Sequence, residues 1–244
     1  MTGKHRRSYT PGSPQWWVNR SQRIEKNSGP GRPSISFDKI IATALETVDD
    51  VGPEAFSMRM LAGRLRSGTA TLYRHVTSKA EILAYVVDGV LGELTADDGD
   101  GSRQTWQQVC VRIAEELYRV LNAHPKLIPL LVSQVPIGPN GLMVRERRIA
   151  AFLSKGFPPE LAARAYTTIA HYAVGFAIQQ HAASAPKSRE SADLLSFYRK
   201  LDAKGYPATI KVAEYLSGAS VDDEFHFGLK MVIDGLDLAL RSSF

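Results

Sequence analysis

The sequence predicts an all-α protein, and three observations carry that expectation. Apolar residues recur at three- and four-residue spacing through successive segments. The runs open on side chains that cap helices and close on Gly or Pro. Period-two alternation is nowhere convincing, and no repeat has a solenoid period. The chain has 244 residues, 44% hydrophobic and 23% charged, enough apolar mass for one large domain or two modest ones. It has no run of 18 uncharged apolar residues, which argues against a membrane span. The opening Met1-Thr2-Gly3-Lys4-His5-Arg6-Arg7 lacks the apolar segment of a secretory signal. A single cysteine, Cys110, excludes a disulfide framework and a multi-thiolate metal site. The expectation is a cytoplasmic protein without a cofactor. No metal is expected either, because His124, His171, His181 and His226 are scattered without a ligand spacing.

Residues 1–33 hold Pro11, Pro14, Pro30 and Pro33 with four glycines, a density of breakers that predicts a largely disordered arm without a long helix. Trp16-Trp17 is the exception. These rings either pack on the protein's own surface or serve as a docking or base-stacking anchor. Ile40, Ile41, Ala44, Leu45 and Val48 predict a helix over 37–50, with Ser36 as its cap and Gly52-Pro53 as its stop. Short helices follow over 58–65, capped by Ser57, and over 69–75. Ser78 and Glu81 have the spacing of a capping box and open a helix to about residue 94.

The turn-rich acidic stretch 95–102 marks a domain boundary. Beyond it a helix is expected over 106–122, ended by His124-Pro125, then a short apolar segment over 127–132. Residues 143–155 form a further helix with Arg145, Arg147 and Arg148 on its wet side. Pro159 suits the first turn of a long helix to about residue 183. Helical segments near 191–203 and 208–217 precede a final amphipathic helix over 221–240. Cys110 reads as a small buried hydrophobe rather than a redox sensor.

Charge is unevenly placed. The net charge is +5, but residues 1–33 hold seven basic residues against Glu25 alone, which leaves the remainder slightly acidic. Within that remainder, residues 58–79 carry Arg59, Arg64, Arg66, Arg74 and Lys79 and no acid. Two short helices joined by a tight turn have the layout of a helix-turn-helix. The second is dense in groups that hydrogen-bond to DNA: Thr69, Thr71, Tyr73, Arg74 and His75. A helix that short and polar suits a major groove about 12 Å wide better than a core.

Leu61-Ala62-Gly63-Arg64-Leu65, followed by Thr71-Leu72-Tyr73-Arg74-His75-Val76 and Lys79, resembles the DNA-binding domain of the tetracycline-repressor (TetR) family. The Gly31-Arg32-Pro33 lead-in is similar too. The C-terminal half resembles the family's ligand and dimer domain at His124-Pro125, Gly138-Pro139-Asn140, Pro159-Glu160-Leu161-Ala162 and Tyr172-Ala173-Val174-Gly175-Phe176. The resemblance implies a three-helix DNA-binding domain over 34–94, joined by a linking helix to a helical effector-binding and dimerisation domain over 103–244. It implies that Arg59 reads a guanine edge. Thr69 and Thr71 reach bases or phosphate, Tyr73 and His75 donate to phosphate, and Arg74 reaches either. Lys79 adds its charge to the free N–H groups opening its helix, an anion site for the DNA backbone. Arg32 is near enough to enter the minor groove, although a merely solvated arm is the equal alternative. Tyr73 could instead pack its ring in the core and expose only its hydroxyl.

One departure stands out. Relatives usually place Gly-Val after the leucine matching Leu65, where this chain has Arg66-Ser67-Gly68. Either Arg66 takes the left-handed conformation, or the turn shifts so that Gly68 does.

By the same resemblance the partners are a double-stranded, palindromic DNA operator, a second copy of the chain and an unidentified small-molecule effector. Pairing through 159–183 and 221–240 would set two recognition helices about 34–36 Å apart, one DNA turn. Trp106, Tyr118, Gln134, Phe152, Tyr166, His171, Tyr172 and Gln179, with Phe176 and Asn140, are candidate effector contacts. They combine aromatic area with sparse polar tips. The leading expectation is a repressor released by its effector. An activator or an effector-independent regulator shares every feature. An all-α enzyme lacks support, since no phosphate loop, nucleophile elbow, HExxH or paired-carboxylate constellation is present. A scaffold binding an acidic protein through 58–79 would show no DNA sequence preference.

Overall fold

The computed structural model describes residues 9–26, 35–95, 104–182, 188–218 and 220–242. Every regular element among them is helical. The chain packs as two compact units: residues 1–104 with 119–154, and residues 105–118 with 155–244. The expected linker 95–102 and Arg32 with its Gly-Pro neighbours lie outside the described residues, apart from Thr95.

The first unit contains α1 (Pro14–Lys26), α2 (Phe37–Ala55), α3 (Met58–Arg64), α4 (Thr69–His75) and α5 (Lys79–Gly92). It also contains α7 (Ile128–Ser133) and α8 (Pro139–Ser154). The caps fall where the sequence puts them. Ser36, Ser57 and Ser78 accept from the amides of Lys39, Met60 and Glu81 at 3.2, 3.3 and 3.2 Å. Gly52 breaks α2 with φ 81°, and Pro53 restarts one last turn from it. Ile40, Ala44, Val48, Phe56, Leu61, Leu72, Val76, Ile82 and Val86 form the core that joins α2 to α5.

Three sequence expectations are corrected here. Residues 1–33 are not without a long helix, because α1 runs for 13 residues. Pro14 sits in its first position, where proline is tolerated, and Ser13 accepts from the Trp16 amide at 3.3 Å. Trp17 is buried, and both tryptophans meet Tyr85 edge-on at 5.4 and 5.3 Å. The rings therefore pack on the protein's own surface. Arg148 is buried rather than wet, because it continues the Val144–Phe152 stripe at four-residue spacing. Helix α8 also starts earlier than expected, at Pro139. Its first amides have a partner from far away: Asp88 accepts from Asn140 and Gly141 at 3.2 and 3.0 Å. Burial pushes the Asp88 carboxyl above its usual range, although these two amides pull it back.

The second unit contains the start of α6 (Trp106–Ala123), then α9 (Pro159–Ala182), α10 (Ser188–Arg199), α11 (Pro207–Lys211), α12 (Ala213–Gly218) and α13 (Val221–Arg241). Helices α9 and α13 pack together. Small residues on α9 (Ala165, Ala173, Ala177) and Phe225 with Leu229 on α13 are buried. Gly228 permits the close approach of Tyr172, whose hydroxyl donates to the Phe225 carbonyl at 2.7 Å. A Cβ at Gly228 would stand 2.5 Å from that hydroxyl. No helix among the described residues is long and apolar enough to cross a membrane.

Candidate nucleic-acid interface and effector site

Helix α4 matches its predicted bounds, and the structure shows why a seven-residue helix persists. Leu72 is fully buried and Val76 closes the last turn, its amide reaching the Leu72 carbonyl at 3.1 Å. Isolated helices of this length are unstable in water, so tertiary contacts hold it. The remaining side chains face outward. Thr69, Tyr73 and Arg74 are exposed, and Thr71 and His75 are half-buried. Tyr73 is 53% exposed, so its ring is not a core element.

The turn before α4 resolves the Arg66-Ser67-Gly68 alternatives. Arg66 adopts φ 49°, the one positive value at a non-glycine among the described residues, while Gly68 has φ −81°. The Ser67 amide donates to Ala62 at 2.9 Å and the Arg66 amide to Gly63 at 3.1 Å. That pair of bonds is the Schellman motif, which ordinarily has glycine where Arg66 stands.

Arg59, Arg66 and Arg74 are exposed and make no ion pair among the described residues, whereas Arg64 is bound to Asp50 at 2.6 Å. Lys79 opens α5, but its ammonium donates to the Glu54 carbonyl at 3.0 Å and lies 6.0 Å from the Phe56 ring. It thus ties the end of α2 to the start of α5. His75 is held below its ordinary value by burial, then by the charges of Arg74 and Arg20. A neutral imidazole still donates one N–H. Free cations, hydroxyls and one N–H, with no carboxylate on α3 or α4, form a surface suited to a polyanion.

The sequence missed Arg20, which it assigned to the arm. Its guanidinium donates to the Tyr85 hydroxyl at 2.5 Å and the His75 carbonyl at 2.6 Å, and pairs with Glu81 at 3.0 Å. The four-residue spacing of Trp16 and Arg20 is the helical signal that could have found it. Glu81 does not close the expected capping box on Ser78. It accepts instead from the Thr77 amide and hydroxyl at 2.7 and 2.6 Å.

The candidate effector residues divide between the units. Gln134, Asn140 and Phe152 belong to the first, with Phe152 fully buried. The rest belong to the second. There Tyr118 stacks on Phe225 with centroids 4.5 Å apart and donates to Gln180 at 3.1 Å. Tyr172 and Phe176 meet the same Phe225 ring at 5.5 and 5.2 Å. Trp106 packs on Phe157 at 5.2 Å, and Tyr166 is half-buried. His171 and Gln179 are exposed on α9. Phe225 and Gln180 join the cluster through tertiary packing, which no local pattern announces. Cys110 is fully buried, and burial pushes its thiol up to about 12, which leaves it inert. Among the described residues no group of three or more His, Cys, Asp or Glu side chains is arranged to hold a metal ion.

An all-α chain with an outward recognition helix on a two-helix turn defines the class of helix-turn-helix regulators. Comparison with known proteins identifies the family. Residues 40–86 match the family described as bacterial regulatory proteins, tetR family. Residues 98–240 match the tetracyclin repressor-like C-terminal domain. The HTH-type transcriptional repressor DrrR1 of Streptomyces coeruleorubidus is 31% identical over 221 residues, covering 86% of this chain and 80% of that protein. The tetracycline repressor protein class E of Escherichia coli is 24% identical over 206 residues, covering 84% and 92%. The crystal structure of the Streptomyces coelicolor TetR family protein ActR in complex with actinorhodin superposes with a TM-score of 0.76 at 29% identity, covering 87% of this chain and all of that one. The chain belongs to the TetR family of bacterial transcriptional regulators.

Proposed function

We propose that the protein is a dimeric repressor that binds a palindromic operator and is released from it by a small molecule. Residues 34–94 act as the DNA-binding domain and residues 103–244 as the effector-binding and dimerisation domain. The carrying observation is helix α4, which presents Thr69, Thr71, Tyr73, Arg74 and His75 outward beside the unpaired Arg59 and Arg66. Arg59 and Thr71 read bases; Tyr73, His75 and Arg66 hold phosphates.

Dimerisation is supported by the outer face of α9 and α13. Phe227 and Leu238 are each 68% exposed and share one face of α13 with exposed Met231, and Ile178 is exposed on α9. An apolar strip of that kind on paired helices needs a cover, and a second copy supplies one. The effector reading rests on Tyr118, Tyr172 and Phe176 around Phe225, an aromatic wall with hydroxyls and Gln180 at its edge. It takes an effector with a flat apolar body and a few polar groups. ActR, whose structure is solved in complex with actinorhodin, supports a small-molecule ligand for this chain. A coupling of about 1–3 kcal/mol changes operator affinity roughly 5- to 150-fold, enough for release.

The test is selection of bound sites from a random duplex library, then gel shifts on the selected DNA. A dyad motif is expected, together with sharp loss of the shift in Arg59→Ala and Thr71→Ala while size-exclusion still reports a dimer. Retention of the shift in both variants sinks the docking assignment.

A further inference from the structure

We infer that Arg20, on the helix ahead of the DNA-binding head, is a positioning residue that sets the recognition helix at its C-terminal end. This rests on α4 being the helix that enters DNA. Helix α4 ends on a carbonyl that its own turns cannot satisfy, as every helix does. At His75 that acceptor is met by Arg20, 55 residues earlier in the chain, at 2.6 Å. The same guanidinium pairs with Glu81 and binds the Tyr85 hydroxyl, both on α5. One rigid fork therefore ties the end of α4 to α5: two of its nitrogens donate to Tyr85 and His75, and the third stands 3.0 Å from the Glu81 carboxylate as an ion pair. A cation at a helix C-terminus also complements the helix dipole.

The fork is itself anchored. The Arg20 side chain is 16% exposed and the Glu81 side chain 2%. One turn before Arg20, Trp17 is buried and meets Tyr85 edge-on. A Cβ at Gly138 would stand 2.8 Å from the Trp17 ring and 2.2 Å from Asp88, so this end of α1 is wedged between α5 and the start of α8. At the chain end before α1, Gly12 lies against the Gln134 side chain, where a Cβ would come within 2.4 Å. Helix α1 is thus braced at the 134–138 segment and holds His75 through Arg20. An arginine committed in this way is not free to neutralise a phosphate, although its place in a basic N-terminal segment suggests that role.

The experiment uses the full-length protein and a duplex selected by the wild type from a random library, with an unrelated duplex as reference. Fluorescence anisotropy is measured from low to high salt for wild type, Arg20→Ala and Arg20→Lys. Circular dichroism and size-exclusion select the folded, dimeric preparations. Positioning predicts roughly tenfold weaker binding to the selected duplex, with binding to the unrelated duplex within twofold of wild type. The slope of log K against log salt stays at the wild-type value. Arg20→Lys behaves like Arg20→Ala, because one ammonium cannot span His75, Glu81 and Tyr85. Amide exchange at Val76 quickens in both variants, which keeps the inference testable if one variant binds too weakly to measure. Unchanged affinity and exchange overturn the inference. So does equal loss on both duplexes, or a slope shallower by about 0.9 with rescue by lysine, the mark of a direct phosphate contact. If the wild type selects no motif, it is the DNA-binding reading that fails. If the wild type selects one and Arg20→Ala matches it, only this inference fails.

Discussion

Replacing Arg66 by glycine should make the protein more stable and a poorer DNA binder, two effects of opposite sign from one side chain. Arg66 holds φ 49° in the Schellman turn between α3 and α4. An L residue in that region costs about 1–2 kcal/mol relative to its right-handed form. Glycine removes that strain but gives the unfolded chain extra freedom, worth about 0.5–1 kcal/mol. The side chain is exposed and makes no ion pair among the described residues, so no ion pair is lost. The net gain is about 0.5–1 kcal/mol. For a chain of this size that raises the melting midpoint by about 1–4 °C. Arg66→Ala is the control, since it deletes the charge and keeps the strained Cβ, and it should gain nothing. Thermal melting followed by circular dichroism reads both variants. Salt titrations of operator binding should show both slopes shallower by about 0.9, one phosphate contact each. A midpoint that falls in Arg66→Gly, or rises equally in Arg66→Ala, would refute the strain argument. An unchanged slope would remove Arg66 from the phosphate contacts.

Two further outcomes are expected. Gly138→Ala should lower the melting midpoint by the equivalent of about 1–3 kcal/mol, because the added carbon must displace Asp88 and Trp17 from a joint with no spare room; an unchanged melt would mean that both side chains yield freely. His75 should give operator binding a pH dependence. In the free protein burial and its arginine neighbours hold its pKa below the ordinary 6.5. Its share of folding stability is therefore present above pH 6.5 and lost as the pH falls through the folded value. A phosphate beside the ring favours the charged form, so binding takes up a proton and tightens as pH falls from 8 to 6 in titrations by anisotropy. His75→Gln should flatten the profile, and a flat wild-type profile would remove His75 from the backbone contacts.

Much of this protein is legible from the sequence. The bounds of α4, the serine caps of α2, α3 and α5, and Pro159 at the head of α9 all follow from side chains acting within a turn of their own position. The basic window 58–79 and the resemblance around Thr71–Lys79 lead to the family because the recognition helix is a local, exposed element whose chemistry faces outward. What required the tertiary structure is what depends on partners far along the chain. Breakers in the first 33 residues predict no long helix, yet α1 forms because Tyr85 and Glu81 give Trp17 and Arg20 somewhere to go. Asp88 caps a helix that starts 51 residues later, and Arg148 is buried where local pattern would leave it wet. The sequence left two residues able to take the left-handed turn, and the folded turn, closed by the Ser67 and Arg66 amides on Ala62 and Gly63, has it at Arg66. Periodicity and caps are settled over about four residues by backbone geometry. Burial and ion pairing are settled by whichever surfaces the folded chain brings together, and no window of sequence contains them.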